Sequence, residues 1–325
     1  MCTAVTYLTD SFYFGRNLDL EYNYDESVTV LPRRYPLVFR KAKALQSHYA
    51  MIGMSYVKDG YPLFYEATNE KGLSMAGLNF VGNAVYSAEE VPGKDNIASF
   101  EFIPWMLGQC DCMADVRTLL GRVNLLQTSF AADLPPAQLH WMIASREGCF
   151  VVESTADGLH IYDDPMGVLT NNPPFPYHAQ NLSNYMCLSN QPPTNHFCQS
   201  LKLEPYSRGM GALGLPGDLS SSSRFVRAAF TRANARSGRD EAESVTQFFH
   251  ILQSVSMARG CIDMGHGQFE TTVYSCCCNA DTGVYYYTTY ANGGLTAVDM
   301  RREDLEGASP VSYPMLHETV IHRQN

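Results

Sequence analysis

The chain opens with two runs of strand-forming residues around a short polar turn. Residues 3–8 and 12–17 are rich in Thr, Tyr, Phe and Val, and Thr9-Asp10-Ser11 between them is a turn-type cluster. A hairpin centred on Asp10 pairs residues whose numbers sum to about 20. It sets Cys2 beside residues near 17–18, within the stretch Gly15-Arg16-Asn17-Leu18-Asp19. Local pairing alone therefore brings a guanidinium and a carboxylate to a thiol at the start of the chain. Any fold of this sequence has to house that polar group at one end of a strand pair that is otherwise apolar.

The rest of the chain supplies the material for a large core. Hydrophobic residues make up 45% and charged residues 17%, with 16 Phe and 20 Tyr against 2 Trp. Such a chain does not remain disordered. Further strands are expected over 49–56, 73–80, 139–144, 149–153 and 159–162. Residues 271–278 and 283–290, joined by Asn279-Ala280-Asp281-Thr282, read as a hairpin. Helices are expected over 100–108 and 114–123, then over 224–235 and 242–257. In the last, Val245, Phe248, Ile251, Leu252 and Val255 recur at helical spacing, and Asp240 with Glu243 forms a capping-box variant. Strand blocks separated by paired helices point to layered α and β structure with a largely antiparallel sheet. The Pro- and Gly-containing stretches are too short for linkers, so one domain over 1–325 is expected.

The thiol at position two carries the chemistry. Loss of Met1 would leave Cys2 with a free α-amine, whose reference pKa is about 7.7–8.0 against about 8.5 for the thiol. One residue then supplies nucleophile and base, while an intact Met1 leaves an amide nitrogen of no useful basicity. Arg16 favours thiolate and Asp19 holds or orients the amine. Taken singly, Cys2 also reads as a small strand residue, and Arg16 with Asp19 as a surface ion pair.

Met1-Cys2-Thr3 followed by Phe14-Gly15-Arg16-Asn17-Leu18-Asp19 resembles the start of the choloylglycine hydrolase family. That family comprises bile salt hydrolases and penicillin V acylases and is of the N-terminal-nucleophile type. The likeness continues in order at Asn69-Glu70-Lys71-Gly72-Leu73, Ala76-Gly77-Leu78-Asn79-Phe80, Leu139-His140-Trp141-Met142 and Gly167-Val168-Leu169-Thr170-Asn171. It ends with Gly214-Leu215-Pro216-Gly217-Asp218, Ser223-Arg224-Phe225, Phe248-Phe249-His250-Ile251-Leu252 and Tyr285-Tyr286-Tyr287. The resemblance implies a four-layer αββα sandwich of the α+β class, with two mainly antiparallel sheets between helix layers. It implies Cys2 as nucleophile, Arg16 and Asp19 tuning it, and Arg224 completing the polar network. Asn171 would offer its side-chain amide, and Asn79 its backbone N–H, to the tetrahedral oxyanion.

The implied reaction is cleavage of the amide of glycine- or taurine-conjugated bile salts through a thioester, or acyl transfer where an amine intercepts it. Within the family, Asn at position 79 goes with bile salt hydrolases and Tyr with many penicillin V acylases. Leu18, Tyr22, Tyr56, Phe64 and Tyr65 are the expected walls of a steroid pocket, and each also reads as ordinary core. Val81 stands where Pro is frequent, and Tyr65 is bulkier than expected. Arg208, in Tyr206-Ser207-Arg208-Gly209, is expected to read the anionic end of a taurine conjugate, or else to be a solvated loop residue. A penicillin V or N-acyl-homoserine-lactone acylase is one alternative, and a non-catalytic steroid- or lipid-binding protein another. The resemblance also implies a homotetramer.

Other signals exclude more than they assign. The net charge of −10 argues against nucleic-acid binding. No apolar run spans a membrane and no secretory signal opens the chain, so the cytoplasm and reduced cysteines are expected. Cys276-Cys277-Cys278 and Cys110-Asp111-Cys112 lack the spacing of a zinc site, so no metal or cofactor is expected. His140 and His250 read as satisfied core residues.

Overall fold

The computed structural model describes residues 1–238 and 240–325. β1 (Cys2–Leu8) and β2 (Phe12–Leu20) form the opening hairpin, with Cys2 opposite Leu18 and Ala4 opposite Arg16. That is the register a turn at Asp10 dictates. β3 (Ser27–Leu31), β4 (Met51–Lys58), β5 (Tyr61–Asn69) and β6 (Ser74–Asn79) follow as an antiparallel run. β7 (Asp95–Ala98) and β8 (Val123–Leu126) form a small parallel pair across α1 (Phe102–Leu107) and α2 (Met113–Leu120). β9 (Leu139–Ser145), β10 (Gly148–Thr155) and β11 (Gly158–Asp163) lead to β12 (Val168–Leu169), α3 (Phe175–Asn181), α4 (Ser221–Asn234) and α5 (Glu241–Gln253). The short pair β13 (Asp263–Gly265) and β14 (Gln268–Phe269) precedes β15 (Thr271–Asn279), β16 (Val284–Thr289), β17 (Thr296–Asp299) and β18 (Val311–Pro314).

Two antiparallel sheets result. The first has the order β12-β1-β2-β15-β16-β17, and the second β11-β10-β9-β6-β5-β4-β3-β18. They face each other through β1 and β2 against β6. α4 and α5 cover the outer face of the first sheet, and α1 covers β5 and β6 of the second. The expected αββα layering is therefore present. The first sheet is buried on both faces, so all of Cys276, Cys277 and Cys278 are buried although alternate side chains point opposite ways. Along α5 and the turn that follows it, the stripe Val245, Phe248, Ile251, Leu252 and Val255 is wholly buried, each such side chain being worth about 1.5–3 kcal/mol. Asp240 caps it, accepting from the Glu243 N–H at 2.8 Å.

Several expected boundaries move. The helix expected to 123 stops at Leu120, and Val123 opens β8. α4 begins at Ser221, because Ser220 caps it through the Ser223 N–H, and α5 ends at Gln253. His250 is exposed, not core: it lies off the apolar stripe and meets Gln253. His140 is buried, stacked on Phe80, with Glu153 and the Thr170 carbonyl at its two nitrogens. β5 escapes a reading of periodicity because Pro62 and Glu66 interrupt its alternation.

Candidate active site

The start of β1 is held by Asn171 and Arg224. The Cys2 N–H donates to Asn171 Oδ1 at 2.9 Å, and Arg224 Nη1 donates to the Cys2 carbonyl at 2.5 Å. Arg224 also donates to Thr3 Oγ1 at 2.7 Å, to Asn171 Oδ1 at 2.7 Å and to the Leu219 carbonyl at 3.0 Å. Two N–H donors converge on Asn171 Oδ1, which fixes the orientation of that amide, since an NH2 there would face both of them. Its Nδ2 donates to the Asn79 carbonyl at 2.8 Å and has one hydrogen to spare. Ser221, the first residue of α4, accepts from the Asn171 N–H at 2.8 Å, and the Asn171 carbonyl accepts from His178 at 2.8 Å. The end of β12 is thus clamped to α4 and α3.

Arg16 and Asp19 stand on opposite faces of the first sheet, as an odd separation along β2 requires. Arg16 points between the sheets. Its Nη1 donates to the Gly77 carbonyl at 2.6 Å and the Tyr65 carbonyl at 3.2 Å, with Glu66 at 3.8 Å, while Nη2 has no partner among the described residues. Burial works against its charge, but Cys2, Tyr274 and Glu66 outweigh that and raise its pKa. Glu66 in turn accepts from Tyr274 at 2.8 Å and Tyr285 at 2.6 Å. Asp19 faces the helix layer and accepts from Thr272 Oγ1 at 2.6 Å. Burial pushes the Asp19 carboxyl up, while Arg224 and Thr272 pull it back.

Two β-bulges make this possible. Opposite Asp19 and Leu18, β15 carries Val273 as an extra residue, so Thr272 lands on the helix face and Tyr274 on the inter-sheet face. Opposite Met54 and Ser55, β5 carries Tyr65 as an extra residue, and its carbonyl turns to Arg16. Gly15 admits the close passage of β15, for a Cβ there would lie 1.9 Å from the Cys276 carbonyl oxygen.

Asn79 ends β6 opposite Leu139. The neighbouring Phe80 N–H bonds the Gln138 carbonyl at 2.8 Å, so by antiparallel alternation the Asn79 N–H is directed away from β9, towards the side of Arg16 and Asn171. At the chain start, the Met1 ammonium donates to the Asp19 carbonyl at 2.6 Å and pairs with Glu270, which is buried.

These groups form the floor of a cavity of about 730 Å³, lined by Cys2, Arg16, Asn79, Asn171, Met1 and Glu270 at its polar end. Leu18, Tyr56, Phe64 and Tyr65 line it as expected, joined by Ile103, Phe130 and Leu134. Tyr22 does not line it; it is exposed and packs edge-on to Tyr24, which does. Arg208 also lies outside the cavity, exposed in the long excursion between α3 and α4, and among the described residues Arg16 is the one side-chain cation in the lining. Glu270, Thr272, Glu66 and Ser221 were not singled out from sequence, because nothing in their spacing marks them. Among the described residues Asp111, Cys112 and Asp115 come together at the surface start of α2, while Cys110 turns inward to Met106.

A thiol beside a guanidinium, spare amide donors and a large apolar cavity can attack a carbonyl and stabilise the oxyanion that results. The comparisons agree with that chemistry. Residues 2–313 match the family model described as linear amide C-N hydrolases, choloylglycine hydrolase family. The bile salt hydrolase/transferase of Lactiplantibacillus plantarum is 50% identical over 325 residues, all of both chains. That of Clostridium perfringens is 37% identical over 318 residues, 96% of each. The crystal structure of the mutant C2A conjugated bile acid hydrolase from Clostridium perfringens superposes with a TM-score of 0.92 at 35% identity, covering 100% of both chains. This chain belongs to the choloylglycine hydrolase family and is a linear amide C–N hydrolase.

Proposed function

We propose that the chain cleaves the amide of glycine- or taurine-conjugated bile salts, with Cys2 as nucleophile after loss of Met1. The observation that carries this reading is the Cys2 nitrogen on Asn171 Oδ1, beside Arg16, at the floor of the 730 Å³ cavity. With Met1 gone, that nitrogen becomes the α-amine. It takes the thiol proton, and the thiolate adds to the amide carbonyl. The Asn79 N–H and the spare Asn171 Nδ2 hydrogen receive the oxyanion, a donor of this kind being worth about 2.7–4 kcal/mol. The α-ammonium protonates the departing amine, and the C–N bond breaks to leave a thioester on Cys2. The amine then deprotonates water for deacylation. Arg16 tunes the thiol, and Asp19 with Arg224 holds the strand end that presents it. An apolar wall of Leu18, Tyr56, Phe64 and Tyr65 suits a steroid, whose buried area supplies most of the affinity.

The test is release of amine from glycocholate, taurocholate and penicillin V, run beside Cys2→Ser and with an intact mass of the purified protein. Bile-salt turnover that is lost in Cys2→Ser, on a protein lacking Met1, is expected. Full activity with Met1 retained overturns the mechanism. Preference for penicillin V makes the chain an acylase of that class, and binding without product makes it a binding protein.

We also propose a homotetramer of single-domain chains, residues 1–325, in the cytoplasm. All ten cysteines are unpaired, which suits a reducing compartment. Among the described residues no helix is long and apolar enough to cross a membrane. The excursion between α3 and α4 exposes Met186, Phe197, Tyr206 and Leu213, a surface suited to contact with a neighbouring copy. Arg208 in that excursion is proposed to favour taurine conjugates. An unchanged taurocholate-to-glycocholate ratio in Arg208→Ala rejects that role.

A further inference from the structure

We infer that Glu270, with the main-chain carbonyl of Asp19, forms a seat for a primary ammonium group beside Cys2, used by the amine partner of acyl transfer. This rests on the reading of Cys2 as a processed N-terminal nucleophile.

An ammonium already occupies the seat. The Met1 amine donates to the Asp19 carbonyl at 2.6 Å and pairs with Glu270 Oε1. The Glu270 side chain is only 4% exposed, yet it lines the cavity. Among the described residues, the Met1 ammonium is the one hydrogen-bond partner of that carboxylate. Two backbone atoms separate the Met1 nitrogen from the Cys2 nitrogen, so the seat lies roughly 3–4 Å from the latter.

Loss of Met1 removes the cation and leaves a buried carboxylate facing the cavity, a costly state that favours another cation. The α-amine of Cys2 is not that replacement, because its nitrogen is directed to Asn171 Oδ1 on a strand fixed by Arg224. A primary amine entering from the cavity is. Bound as R–NH3⁺, it gives one proton to the Glu270 carboxylate. The neutral nitrogen adds to the thioester carbonyl, the C–S bond breaks with its electron pair passing to Cys2 Sγ, and the second proton passes to the Cys2 α-amine. The products are an amide, a thiolate, an α-ammonium and a neutral Glu270 carboxyl. By microscopic reversibility the leaving amine of hydrolysis departs through the same seat.

The experiment uses the mature full chain with glycocholate as acyl donor. Acceptors are taurine and 2-aminoethanol, charged at neutral pH, and hydroxylamine, largely uncharged there. The readout is the ratio of transfer product to free bile acid, which is independent of the folded fraction. In Glu270→Gln, the ratio for the charged amines is expected to fall about tenfold or more, the size of one charge-assisted hydrogen bond. The hydroxylamine ratio is expected to hold within about twofold, since an uncharged amine needs no counter-charge. Both ratios falling together, or neither, overturns the inference. So does a shifted pH profile of hydrolysis with both ratios intact, for Glu270 would then serve the α-amine of Cys2. If the parent chain forms neither free acid nor transfer product from any conjugate, the reading of the site has failed and this inference falls with it.

Discussion

The two faces of the first sheet handle buried charge in opposite ways. On the helix side, Arg224 spends its guanidinium on four protein acceptors: Leu219, Cys2, Thr3 and Asn171. On the inter-sheet side, Arg16 is tied down by two carbonyls through Nη1 while Nη2 has no partner among the described residues. A cation whose three nitrogens all donate to the protein is a clamp. A cation with a donor in reserve, lining a cavity beside a thiol, retains a field and a hydrogen bond for chemistry. The same fold supplies both because Cys2 lies in a strand with one arginine on each face.

Breaking the clamp is expected to have the largest effect. Arg224→Met leaves the Leu219 and Cys2 carbonyls, Thr3 Oγ1 and Asn171 Oδ1 without their shared donor and should cost about 3–5 kcal/mol of stability in urea unfolding. A loss under about 1 kcal/mol would mean that Arg224 is no more structural than an exposed ion pair. Next, Asn171→Ala removes an acceptor from the clamp and a donor from the floor. Its kcat on glycocholate should fall about 10²–10³-fold. A change confined to KM would assign Asn171 to binding alone.

Arg16→Lys sharpens the contrast. The charge remains but the planar fork is lost, so turnover should fall about tenfold while stability shifts by about 1–2 kcal/mol at most. Stability falling more than activity would make both arginines clamps. The smallest effect is expected at the entry to α4. Hydrogen bonds from Ser220 and Ser223 hold Asp218 at about 2. A carboxylate depressed in the folded state adds stability above its unfolded pKa near 3.9 and loses it as pH falls through about 2. Because Asp218 is exposed, Asp218→Asn should cost under about 1 kcal/mol at neutral pH, with the difference from the parent vanishing near pH 2.

The hairpin register was legible because a short turn and strict alternation leave one solution, and Cys2 opposite Leu18 follows from it. That Arg16 and Asp19 take opposite faces follows equally from their odd separation along β2. Asn79, Asn171 and Arg224 could be named only through family resemblance, since they come from strand and helix ends far apart in sequence. The bulges at Val273 and Tyr65 left no signal, for neither carries a glycine or a turn motif. Without them the partners of Asp19 and Arg16, including Thr272 and Glu66, could not be assigned to a face. Tyr22 and Tyr24 both lie in the connection that follows β2, and composition does not encode which of them turns to the cavity.

β1 is an interior strand, paired to β2 on one edge and β12 on the other, and roofed by α4. A ribosome therefore makes β1 first and the elements that enclose it later, with β15 arriving after residue 270. In the folded chain the Met1 ammonium is tied to Glu270 and Asp19. Under the proposed loss of Met1, an aminopeptidase has its opportunity while the nascent chain is still open. On that reading, a chain that closes before it is trimmed keeps a methionine in the cavity beside Cys2.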